Sequence, residues 1–141
     1  DAGETYESVC AHVRVRFVPR RVGREVVDRD GDDVEIAHGR ASDFGLDTVV
    51  VARGDEGATA LAGGDVYEQA VFEAETFDAI GTGDAFVAGF VAERLRGGDV
   101  AAALEWGAAT AAVKRTTDGD LAVTTREEVA SVIDGADAIS R

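Results

Sequence analysis

The chain has 141 residues, with 28 acids against 14 bases, a net charge of −14, one cysteine and no methionine. That length fits one domain or a piece of one, and its 45% of hydrophobic residues, set in patterned runs, excludes a wholly disordered chain. The acidity repels phosphate backbones, and no apolar run approaches the roughly 18–20 residues of a membrane span, so neither nucleic acid nor membrane is an expected partner.

One cysteine makes no internal disulfide and no signal peptide opens the chain, so a cytoplasmic location is expected. A chain that starts at Asp1 without methionine reads as processed or as a fragment. Thirteen of the fourteen bases are arginine, and Lys114 is the only lysine. Self-repulsion at this charge weakens a fold in ordinary salt, whereas molar salt shortens the Debye length to about 3 Å. The composition therefore reads as halophilic, with an acidic mesophile protein as the alternative. The charge is also uneven. Five arginines (14, 16, 20, 21 and 24) and no acid fall between Val13 and Arg24, leaving 9 bases against 28 acids, or −19, elsewhere. A basic patch for an acidic partner and a disrupted sequence are both open explanations.

Glu4 to Ala11 carries a weak helical pattern. Val13, Val15 and Phe17 alternate with arginines, which predicts an edge strand stopped by Pro19. Arg29 to Asp33 is a polar turn. Val34, Ala37, Ala41 and Phe44 have helical spacing, with Gly45 as C-cap. Residues 47–52 form a β-branched run suited to a strand buried on both faces. Arg53 to Gly57 is a turn, Ala58 to Ala62 a strand, Gly63-Gly64 a hairpin turn and Asp65 to Ala70 its return strand. Residues 71–76 read as extended. From Gly81 the spacing of Phe86, Val87, Phe90, Val91 and Leu95 predicts a helix stopped by Gly97-Gly98. Asp99 caps a second helix from Val100 to about Lys114, and Thr116 to Asp120 is a loop. Thr124-x-x-Glu127 reads as a capping box for a last helix ending near Gly135. The order predicts an α/β layer structure with one sheet.

The stretch from Asp78 to Phe90 carries the chemistry. Glycines 81 and 83 allow a tight turn with free N–H groups, and a helix starts directly after them. Its first turn has unpaired donors and the positive end of the helix dipole, which suits a phosphoryl group. Asp84 sits on that turn. Taken alone, an acid there is a helix cap. Beside an anion hole, it can also take the proton of a hydroxyl that attacks a γ-phosphate.

This segment resembles the second signature of the ribokinase-like (PfkB) carbohydrate kinases. Asp78, Gly81, Gly83, Asp84, Ala88, Gly89, Phe90 and Val91 match it, while Ala79 and Thr82 depart mildly. The resemblance implies a ribokinase-like three-layer α/β fold, of which this chain holds the C-terminal portion. It implies Asp84 as catalytic base and the amides of Gly81, Thr82 and Gly83 as the anion hole. Arg53, Gly54 and Gly57 are similar to the family's nucleotide-phosphate loop, although Ala52 stands where a polar residue is common. Gly107, Ala108 and Ala111 fall on the small-residue helix that borders the adenine. The run from Lys114 to Asp120 is similar to the 2-keto-3-deoxygluconate kinases, which implies Asp120, with Asp84, as a contact to a sugar acid. ATP and Mg²⁺ are the implied cosubstrate and cofactor, with a monovalent cation as a further candidate, and the family allows a homo-oligomer. No residue is assigned as a metal ligand.

The resemblance is good over residues 33–141. Residues 1–32 read as a divergent or disrupted segment, because the family's Asn-x-x-Glu-like element should fall near Phe17 to Glu25 and only Glu25 is there. The first half of the family's fold has no counterpart. An inactive remnant that at most binds nucleotide or a partner is therefore the alternative to an active kinase. Cys10, His12, His38 and the aspartates at 28, 30, 32 and 33 show no ligand spacing, since Asp33 stands where a calcium loop needs glycine. Trp106 reads as core. From the charge balance we expect refolding to fail in low salt and to recover in molar KCl, as followed by circular dichroism.

Overall fold

Three consecutive valines organise the sheet. In the computed structural model, which describes residues 14–20, 37–39, 41 and 45–139, Val49, Val50 and Val51 are fully buried. They lie on strand β2 (Thr48–Ala52). Alternate side chains of a strand point to opposite faces. Burial of all three therefore means that both faces of β2 are covered, as the unbroken β-branched run predicts.

Strand β1 (Val15–Pro19) runs parallel to β2, with Phe17 opposite Val50. Strand β3 (Ala58–Ala62) runs antiparallel to β2, with Ala60 opposite Val50. Strand β4 (Asp65–Gln69) completes the order β1-β2-β3-β4. Val18, Ala37, Leu46, Val49, Val51 and Leu61 form one apolar cluster. Among the described residues β1 lies at one end of the strand order, where an edge strand is expected. Pro19 closes it from inside as its last residue, which costs no ladder bond on an outer strand. Gly63 and Gly64 both have positive φ, 58° and 87°, the backbone of a tight two-residue hairpin turn.

Residues 37–39 and 41 are helical and Gly45 has φ 62°, in line with the expected helix and its glycine stop. The expected helix at 4–11, the turn at 29–33, and Cys10, His12, Val34 and Phe44 lie outside the described residues.

The described arginines of the basic run find acids of the same chain. Arg14 Nε donates to Asp47 Oδ2 at 2.6 Å. Arg20 makes a two-pronged bond to Glu56, at 3.0 and 2.8 Å.

The chain divides into two compact units, residues 1–68 and 69–141. The second unit is helical. Helix α1 (Thr82–Leu95) packs on α2 (Val100–Arg115), which also meets α3 (Arg126–Ile139). Asp99 caps α2 as predicted, its carboxylate accepting from the Ala102 N–H at 2.8 Å. The capping box of α3 lies one residue later than expected. Thr125 Oγ1 accepts from the Glu128 N–H at 3.3 Å, and Glu128 Oε2 accepts from the Thr125 N–H at 2.8 Å. Thr124 instead uses its hydroxyl on the same Glu128 carboxylate, at 2.9 Å. The helix also runs past Gly135 to Ile139, because an isolated glycine costs a helix only about 1 kcal/mol. Trp106 is half-buried, with the Arg126 guanidinium 3.7 Å from its ring centre and Arg126 paired to Glu93 at 2.9 Å.

Glycines set the approach of α1 to α2. A Cβ on Gly89 would overlap the Thr110 hydroxyl and lie 2.8 Å from the Trp106 carbonyl oxygen. A Cβ on Gly107 would lie 2.9 Å from the Phe86 carbonyl oxygen. Gly89→Ala should therefore push the helices apart and destabilise the helical unit by about 1–3 kcal/mol, read as a lower melting midpoint. A wild-type midpoint would show that the crossing has slack.

Candidate functional site: a glycine turn held against an aspartate loop

The turn before α1 is fixed by two local devices. Asp78 Oδ1 accepts from the Ile80 N–H at 2.9 Å, an aspartate turn over two residues. Gly81, the N-cap of α1, takes the left-handed conformation with φ 79° and ψ 0°. A side chain there would be strained, and its Cβ would also overlap the carbonyl oxygen of Asp120 and sit 3.0 Å from the carbonyl carbon. Gly81 thus seats the turn directly on the backbone of the Thr116–Asp120 loop.

More ties knit the same crossing. The N–H groups of Phe77 and Asp78 donate to the Arg115 carbonyl at 2.8 and 3.2 Å. Asp78 Oδ2 accepts from the Gly119 N–H at 3.2 Å. One carboxylate therefore joins the turn to the loop. The Ile80 bond is the largest influence holding the Asp78 carboxyl below the usual carboxylate range. Partial desolvation opposes it, and the Gly119 N–H and the charge on Lys114 add to the lowering. A depressed carboxyl keeps its contribution above its ordinary titration range and loses it only as acid drives the pH through the lowered value.

The start of α1 differs from the other two helices. Asp99 caps α2 and Thr125 caps α3, whereas no side chain caps α1. Thr82 turns its N–H and hydroxyl back to the Ala79 carbonyl, at 3.3 and 2.7 Å. The N–H groups of Gly83 and Asp84 bond no acceptor among the described residues. Gly83 has open space where a Cβ would point. Neither its conformation nor an internal contact requires glycine, so its bareness leaves the amide open to close approach. The carboxylates of Asp84 and Asp120 are exposed and bond no group among the described residues. Two bare amides at a helix N-terminus suit an anion, and the nearby carboxylate suits a proton acceptor.

The other expected site residues are placed as follows. Arg53 ends β2's turn, with a 3.2 Å ion pair to Glu68 and a 3.5 Å bond to the Ala58 carbonyl. Gly54 (φ 66°) opens a single 3₁₀ turn, Gly54–Glu56, and Gly57 (φ 95°) closes it. Those residues lie in the first unit and the Gly81 turn in the second. Gly107 is used in the helix crossing, and Ala108 and Ala111 are buried on α2. Among the described residues, no group of three or more His, Cys, Asp or Glu could hold a metal ion. The bare amides at the start of α1 are donors that suit a phosphate anion. Mg²⁺ commonly binds through substrate phosphates with few carboxylates, which such a site permits.

The pfkB family carbohydrate kinase profile matches residues 2–126. The chain belongs to the pfkB family of carbohydrate kinases. The match includes the arginine-rich segment. The 2-dehydro-3-deoxygalactonokinase of Haloferax volcanii is 51% identical over 98% of this chain and 43% of its own length. The ATP-dependent ribose-1-phosphate kinase of Halopiger xanaduensis is 33% identical over 87% of this chain and 47% of its own. Among solved structures, the 2-dehydro-3-deoxygluconokinase of Thermotoga maritima superposes with a TM-score of 0.79 at 20% identity, over 89% of this chain and 43% of that one. This likeness gives the chain a ribokinase-like α/β fold. The chain spans less than half the length of these relatives.

The motif located the turn, but reasoning from sequence assigned no role to Asp78 and left Lys114 as composition. An aspartate two residues before a bonded N–H was the available signal for the first. Gly81→Ala should cost about 2–5 kcal/mol, combining left-handed strain with overlap on Asp120. Chemical denaturation of the 141-residue chain measures it, and a loss under 1 kcal/mol, small beside those terms, would show that turn and loop are not in contact.

Proposed function

We propose that this chain is the phosphoryl-transfer portion of an ATP-dependent sugar-acid kinase, with Asp84 as the base. The observation that carries the reading is the uncapped start of α1 beside an exposed carboxylate, in a family of carbohydrate kinases. The substrate hydroxyl gives its proton to Asp84 as its oxygen bonds to the γ-phosphorus, and the bond from that phosphorus to the ADP oxygen breaks. The amides of Gly81, Gly83 and Asp84 meet the charge that grows on the phosphoryl oxygens, while the Thr82 N–H stays on the Ala79 carbonyl. Mg²⁺, bound with the nucleotide, supplies further neutralisation of that charge. Asp120, held against Gly81, contacts the sugar acid. Arg53, Gly54, Gly57, Gly107, Ala108 and Ala111 remain proposed nucleotide contacts, and the cytoplasm the proposed location. No helix among the described residues is long and apolar enough to cross a membrane.

The substrate class we propose is a 2-dehydro-3-deoxy sugar acid. The Haloferax relative's name supports it and favours the galactonate over the gluconate that the Lys114–Asp120 run first implied. The two differ in configuration at one carbon, so an assay against both decides. A second reading, a remnant that binds nucleotide or a partner without turnover, is supported by the missing asparagine near Phe17 to Glu25 and by a match that covers 43% of that relative.

The test measures ADP release with Mg²⁺ in molar KCl and in molar NaCl, which also reads the monovalent-cation expectation. It uses the chain alone and the chain joined behind the N-terminal part of the Haloferax relative. We expect turnover from the joined protein and none from the chain alone. Asp84→Asn in the joined protein should lower kcat by about 10²–10⁴-fold and keep ATP binding. Near-normal turnover by that variant would overturn the assignment of the base.

A further inference from the structure

Lys114 is the only lysine among 14 basic residues, and it is also the only base among the described residues that is fully buried, at 1% exposure. Every other base of the chain is an arginine. At one buried point the chain uses the compact, strongly hydrated ammonium instead. Burying such a charge is costly unless it is bonded and faced by an opposite charge.

The place of this charge accounts for its retention. Lys114 Nζ donates to the Thr117 carbonyl at 3.2 Å, at the start of the loop that ends on Asp120. The Thr117 N–H and hydroxyl return to the Lys114 carbonyl at 3.1 and 3.0 Å. The loop so held offers its Gly119 N–H to Asp78, whose two oxygens hold Ile80 in the turn and Gly119 in the loop, and the Lys114 charge is the smallest influence that lowers the Asp78 carboxyl. Lys114 lies at the C-terminal end of α2, where the helix dipole favours a cation.

We infer that Lys114 is a positioning residue: its buried ammonium is an internal cation that holds the Thr117–Asp120 loop, whose Gly119 N–H bonds the Asp78 carboxylate, and so sets the backbone on which Gly81 and the bare amides of α1 rest. Lys114 touches no reacting atom. It acts through the loop. The structural part of the inference stands on the hydrogen bonds, and its consequence for catalysis rests on the kinase reading above.

The test separates the two. Amide hydrogen exchange is measured on the 141-residue chain and on Lys114→Met, in NaCl, ammonium chloride and tetramethylammonium chloride at one molar concentration. In NaCl the variant should exchange about tenfold faster over residues 77–84 and 116–121, with residues 102–110 of α2 unchanged. Ammonium should restore protection, and tetramethylammonium, too large to reach the acceptors, should not. Unchanged exchange, or equal acceleration along α2, would overturn the inference. If the variant fails to fold in NaCl, refolding in ammonium chloride alone supports it, and failure in all three salts overturns it. In the joined protein, Lys114→Met should lower kcat with little change in KM for the sugar acid, again recovered by ammonium. Absence of turnover in the unsubstituted joined protein would count against the kinase reading and leave the exchange result standing.

Discussion

The close approach of Gly81 to the carbonyl of Asp120 is the constraint on which the rest of the site depends. It demands a residue without a Cβ, a left-handed backbone, and a loop whose carbonyl tolerates the contact. Everything around it serves that approach. Arg115 lends its carbonyl to two N–H groups, Asp78 spans turn and loop, and Lys114 bonds the Thr117 carbonyl at the start of that loop. The helix that follows inherits its starting point from this crossing, and so do the directions of its first amides. A site for phosphoryl transfer gains from such fixing, because donors already aimed need no reorganisation as charge develops.

The elements most legible in the sequence were those decided locally. Three adjacent valines announce a strand covered on both faces, and Gly63-Gly64 announces a hairpin. Asp99 before an alanine-rich run announces a capped helix. The α3 box was misplaced by one residue because Thr124 and Thr125 are adjacent and two glutamates follow at matching distances. Only the partner each carboxylate takes separates the two registers. The burial of Lys114 was not legible either, since it depends on a loop folding back over the end of its own helix. Gly107 shows the same limit from the other side. Its smallness is visible in the sequence, but its use against Phe86 is a fact of helix crossing.

Charge, which dominates the composition, plays a modest part in the described ion pairs. Arg14 with Asp47 and Arg126 with Glu93 have at least one exposed partner, and such pairs contribute little each. Their service is local neutralisation. The bidentate Arg20–Glu56 pair holds the 3₁₀ turn after β2 to the end of β1, so that part of the basic run is spent inside the chain.

The single tryptophan carries a consequence for how this molecule can be watched. Trp106 lies on α2 under the guanidinium of Arg126, at the mouth of α3. Its emission therefore reports the docking of α3 on α2, in the second compact unit. Tyr67 on β4 and the backbone signal sample other parts. Unfolding curves from tryptophan emission and from far-ultraviolet dichroism coincide only when the two units melt as one cooperative body. The sequence thus contains a built-in probe of whether the helical portion stands alone.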